Sequence, residues 1–230
     1  MKNYLILILF LFVALASCDR DNDSISEEEA ADLIGATLSS DDSGLGADLI
    51  YMAAKAIEEE TNYSSDCNYT GDSAFSSSFS GPERSYSFNY TYDWTVTCEN
   101  FIPVALNFNT TRSGDYDGRF VDHTGNGLGN FVLTDLFSGS ELTLNGTYSN
   151  TGSSTLTRRG TARTIDSEVE VTLTNVKIEK TSLEINSGAA VVTVLATGED
   201  NSVSYNGSIT FLGNGALEVV VNGNVYTFSV

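Results

Sequence analysis

The chain has 230 residues, enough for one sizeable domain, and carries 31 acidic against 11 basic residues for a net charge of −20. Such a surface repels phosphate backbones, and neither a basic stripe nor an RNA-binding aromatic motif is present, so nucleic acid is excluded as a partner. No phosphate-cradling glycine loop or nucleophile elbow occurs, and no cofactor is expected.

Residues 1–17 read as an export signal. Lys2 supplies a positive start, and Leu5 to Leu15 is an unbroken apolar run of eleven residues. A bilayer needs about 20, so the run directs export and is then removed. It ends in Leu15-Ala16-Ser17-Cys18. These four residues resemble the lipobox of bacterial lipoproteins. The resemblance implies cleavage before Cys18 and a diacylglyceryl group on its sulfur, so that Cys18 becomes the mature N-terminus and the membrane tether. Two or three acyl chains make such anchoring stable where one is reversible.

Residues 18–25 form an acidic tether. Asp19, Asp21 and Asp23, with Glu27 to Glu29 beyond, cannot bind anionic lipid, because like charges repel. The run is similar to the acid-rich signals that carry some Gram-negative lipoproteins to the outer face of the outer membrane. A lipid-anchored outer-membrane location is therefore expected, with the cell surface favoured over the periplasmic face. The Asp19-x-Asp21-x-Asp23 spacing opens like an EF-hand loop, but Ser24 replaces the turn glycine and Ala30 the twelfth-position glutamate, so that reading fails.

Residues 26–66 are expected to hold two short helices. Ser26 and Glu29 make a capping box, followed by Ala30, Leu33, Ile34 and Leu38 at helical spacing. Leu45, Leu49, Met52, Ala53, Ala56 and Ile57 repeat the pattern after a Ser-Asp turn. Glu58, Glu59 and Glu60 end the second helix where the macrodipole disfavours acids, which predicts fraying there.

Residues 67–230 change to period two. Tyr86, Phe88, Tyr90, Tyr92, Trp94 and Val96 alternate with polar residues as a half-buried strand does. Further runs fall near 101–112, 116–122, 128–137, 140–149, 154–163, 167–178, 181–186, 189–198, 202–211, 215–222 and 224–230. Asn222-Gly223 is a hairpin turn between two β-branched runs. The expected fold is mainly β: one antiparallel meander of about 10–12 strands, forming a curved sheet or half-barrel with the two helices packed on its apolar face.

Cys67 and Cys98, an isolated pair in an exported chain, are expected to form a disulfide. Asp23-Ser24-Ile25 and Asp72-Ser73-Ala74 look like the acceptor triplet of a bacterial O-glycosylation system, marking Ser24 and Ser73. Asp115, Asp117 and Asp122 lie near a turn and could offer oxygens to calcium, a question the spacing leaves open; no metal site is otherwise expected. His123 would titrate near neutral pH, but its neighbour Asp122 points to the opposite face of a strand and cannot orient it, so a turn or strand-end histidine is favoured over a catalytic one. The Tyr86–Trp94 stripe is weighed as core over a sugar-binding platform.

The expectation is a lipid-anchored envelope protein with a non-enzymatic structural or interaction role. The first alternative is a carrier for an apolar or lipid ligand held between the curved sheet and the helices. Glycan binding comes third. The membrane is the one partner the sequence names, through lipid on Cys18.

Overall fold

The computed structural model describes residues 25–38, 44–158, 160, 162–199 and 201–229. Three helices come first: α1 (Glu27–Leu38), α2 (Leu45–Glu58) and the single turn α3 (Glu60–Tyr63). The capping box forms as expected. Ser26 N–H donates to Glu29 Oε2 at 2.8 Å, and Glu29 N–H donates to Ser26 Oγ at 3.3 Å. Instead of fraying, the acidic end of α2 breaks at Glu59, whose carboxylate accepts from Asn62 Nδ2 at 2.6 Å and from the Tyr69 hydroxyl. α3 then continues the chain toward the sheet.

Ten strands follow: β1 (Thr70–Ser80), β2 (Ser85–Glu99), β3 (Ile102–Asp117), β4 (Val121–Thr134), β5 (Glu141–Leu156), β6 (Arg163–Glu179), β7 (Ile185–Thr197), β8 (Ser202–Gly213), β9 (Ala216–Val221) and β10 (Asn224–Ser229). They pair antiparallel in chain order as one open sheet with β1 and β10 at its edges. The chain is thus a mainly β meander, as the alternation and short turns require.

Several strand bounds differ from expectation. The run at 116–122 is a turn, Asp117 closing β3 and Val121 opening β4; the run at 154–163 holds the β5–β6 turn, and 181–186 the β6–β7 turn. In each case alternation carries on through turn residues, and period two alone cannot place the reversal. β1 was not foreseen, because serine fills the positions where an apolar pattern would betray a strand. At Asn222-Gly223 the expected hairpin forms, with both residues at positive φ (49° and 89°).

One face of the sheet carries the buried residues. Along β2, Tyr86, Phe88, Tyr90, Tyr92 and Trp94 are buried while their neighbours are exposed. These residues, the buried apolar side chains of α1 and α2, and the inward apolar positions of β3 to β9 form a single apolar cluster. The Tyr86–Trp94 stripe is therefore core. Polar contacts hold the α1 segment as well: Arg158 Nε, in the β5–β6 turn, donates to Asp32 Oδ2 at 2.6 Å, and the Tyr205 hydroxyl of β8 donates to the carbonyl of Ile25, just before α1, at 2.8 Å.

Candidate functional site

His123 is the third residue of β4, on the buried face, opposite Tyr116 of β3 and Ser154 of β5. Its Nδ1 lies 2.9 Å from Ser154 Oγ, which in turn lies 2.7 Å from Ser167 Oγ. Burial pushes the imidazole below its ordinary pKa, so the neutral form is favoured. Nε2 has no hydrogen-bond partner among the described residues and sits against Gly125. A serine–histidine contact is present and the Asn150 side chain acts on the ring, but among the described residues no carboxylate hydrogen-bonds it, and Ser154 is 0 % exposed. A substrate carbonyl cannot reach that hydroxyl.

Asp122 points away from His123, as strand geometry requires. It pairs across the strands with Asp117, and burial together with the Asp117 carboxylate holds it above the usual carboxylate range. Asp115, Asp117 and Asp122 border an open groove of about 600 Å³ shared with Ser78, Ser87 and Thr124. Asp115 is engaged by the Thr124 hydroxyl at 2.7 Å. Among the described residues no group of three or more His, Cys, Asp or Glu side chains is placed to hold a metal ion.

A second polar cluster joins helix to sheet and was not foreseen from the sequence. Asp48 of α2 is 1 % exposed and accepts a hydrogen bond from the Tyr92 hydroxyl. Arg112 of β3 is 4 % exposed, with its guanidinium 4.9 Å from the Phe88 ring centre and 5.5 Å from that of Tyr148. Burial raises the Asp48 carboxyl above its ordinary pKa, against the pull of Arg112 and the Tyr92 hydrogen bond. The same burial works against charge on Arg112, but Tyr148, Asp48, Tyr90 and Tyr92 hold it protonated. The signal was there: Arg112 occupies an inward phase of β3 after Phe108 and Thr110, and Asp48 sits within the apolar stripe of α2.

One open apolar surface lies at the β1 edge. Phe75 and Phe79 of β1 stand opposite Tyr90 and Tyr86 of β2 and extend the aromatic stripe outward, but they remain 38 % and 45 % exposed. Between this edge and α2 lies a groove of about 330 Å³, lined by Tyr51 and Ala54 of the helix and by Phe75, Ser77, Tyr90 and Tyr92 of the sheet. The Tyr51 ring centre is 4.3 Å from that of Tyr92 and 5.1 Å from that of Phe75, and Phe75 stacks on Tyr90 at 5.1 Å. Deeper in, where α1 meets the sheet near Arg112, His123 and Asn150, the residual space is about 10 Å³, no more than one water. The groove beside α2 is thus a place where an apolar group can enter between helix and sheet.

Cys67 and Cys98 are joined by a disulfide, with Cα atoms 5.7 Å apart. Ser73 lies in β1 opposite Tyr92, while Cys18 and Ser24 lie outside the described residues. No helix among the described residues is long and apolar enough to cross a membrane. Comparison with known proteins returns no matching family, no matching curated protein and no matching solved structure.

Proposed function

We propose that this chain is a lipid-anchored cell-envelope protein, tethered through Cys18 and presented at the cell surface, whose β domain acts by binding rather than by catalysis. Its sheet curves around α1 and α2, and the aromatic edge formed by α2, β1 and β2 is the binding surface. The observation that carries this reading is the 330 Å³ groove at that edge. Its rings are positioned by the core yet reachable from solvent, whereas Ser154, the hydroxyl beside His123, is fully buried. Apolar surface kept open beside a packed core marks an interaction site.

A small apolar ligand is the second reading, favoured by the same lining: an acyl chain or a planar ring would pack against Tyr51 and Phe75. Photo-crosslinking in intact cells tests both. A benzophenone amino acid at Ser77, inside the groove, is expected to give an adduct, and one at Ser208 on the exposed face of β8 is expected to give none. An adduct of protein mass supports the interaction role and one of lipid mass the carrier role; equal labelling at both positions, or none at Ser77, removes the groove from the account.

A further inference from the structure

We infer that the partner at this edge is a second copy of the chain, joined strand to strand through β1 about a two-fold axis at Ser77. The inference rests on the reading of the aromatic edge as the binding surface and names its occupant.

A sheet edge exposes unpaired backbone N–H and C=O groups, and soluble proteins blunt it with charge, proline, a bulge or a very short strand. β10 is short, at six residues. Beyond Asp72 near its start, β1 has none of these protections. It runs for eleven residues, about 36 Å, its register with β2 is unbroken, and from Ser73 to Ser80 it contains neither a charged residue nor a proline. That neutrality stands out in a chain of net charge −20.

The centre of the strand's exposed half is also a five-residue palindrome: Phe75-Ser76-Ser77-Ser78-Phe79. Phe75, Ser77 and Phe79 occupy the face shared with Tyr90, Phe88 and Tyr86, and Ser76 and Ser78 the other. An antiparallel pairing centred on Ser77 sets Phe75 opposite the partner's Phe79, Phe79 opposite the partner's Phe75, and Ser76 opposite the partner's Ser78. The two half-exposed rings then become cross-strand aromatic pairs, and the partner's Phe79 closes the groove beside Tyr51. A two-fold contact needs a patch that complements itself, and this strand does.

Charge sets the register as well. With the axis at Ser77, the two copies of Asp72 lie about 33 Å apart along the strands, several times the Debye length of about 8 Å in physiological salt. Points related by a two-fold lie in one plane perpendicular to it, so an axis along the membrane normal lets both tethers reach the same bilayer.

Cysteine crosslinking of the full-length protein in its membrane tests the pairing. Ser77→Cys, a conservative change at the proposed axis, is expected to give a disulfide-linked dimer on a non-reducing gel, and Ser208→Cys on β8 is expected to stay monomeric. Ser78→Lys, which puts charge on the outward face of the edge, is expected to convert the detergent-extracted dimer to monomer by light scattering. A monomeric wild type with no Ser77→Cys crosslink overturns the self-pairing, and so does a ladder of higher oligomers. If benzophenone at Ser77 still captures another molecule in that case, the groove remains the binding surface and only its occupant changes.

Discussion

Tyr92 of β2 donates its hydroxyl hydrogen to Asp48 of α2 across the helix–sheet boundary, and Arg112 of β3 supplies the counter-charge beside them. All three are buried. Removing one member of such a pair leaves an uncompensated charge in the interior, which costs more than the pair itself contributes. Asp48→Ala is expected to lower stability by about 3–5 kcal/mol, read from urea denaturation. Replacing both partners, as Asp48→Leu with Arg112→Met, is expected to recover most of that loss. A small effect of Asp48→Ala alone would mean that the charges are not coupled in solution.

The one histidine gives a clean pH signal. Burial lowers the His123 pKa from its ordinary 6.5, so the unfolded chain takes up the proton more readily than the folded one. The stability contributed by the neutral ring is complete above pH 6.5 and is lost as pH falls from there through the folded pKa. The single imidazole resonance in a proton NMR titration is expected to move below pH 6.5, and His123→Gln to flatten the stability profile across the same window. A midpoint at or above 6.5 would contradict the buried, neutral assignment.

Gly125 is expected to resist substitution. A Cβ there would stand 2.3 Å from the Thr151 carbonyl oxygen and 2.5 Å from His123 Nε2. The first contact is with backbone, which cannot swing aside. Gly125→Ala is expected to destabilise by about 1–3 kcal/mol, in the range of overpacked cores, and to shift the His123 resonance; thermal melting and the same NMR spectrum check both.

The Cys67–Cys98 disulfide ties the segment after α3 to the end of β2 across a sequence separation of 31 residues. Closing a loop of that size restricts the unfolded chain, at about 3–4 kcal/mol in the chain-entropy model. Cys67→Ser with Cys98→Ser is expected to lower the unfolding free energy by that amount, read as a lower urea midpoint, and a reducing agent to do the same to the wild type. An unchanged midpoint would contradict a structural role for the bridge.

Much of the architecture was legible where chemistry and geometry coincide locally. Ser26 and Glu29 announced the start of α1, Asn222-Gly223 the final hairpin, and the aromatic alternation from Tyr86 the buried face of β2. What escaped notice were features with no local signature. Ser154 and His123 are 31 residues apart and meet through strand register, as do Asp48 and Tyr92 across 44. β1 hid because its serines carry no apolar phase, although Phe75 and Phe79 four residues apart mark one face. The turn at Asn100-Phe101 was equally opaque, with both residues at positive φ (50° and 66°), a conformation in which an aromatic is uncommon.

The anchor and its placement are the center of the account, and protease shaving of intact cells with mass spectrometry of the mature N-terminal peptide tests them together. The account predicts loss of the β domain from unpermeabilised cells and a diacylglyceryl mass on Cys18. Protection of the domain until the outer membrane is opened, or an N-terminal peptide with Cys18 unmodified, would contradict it.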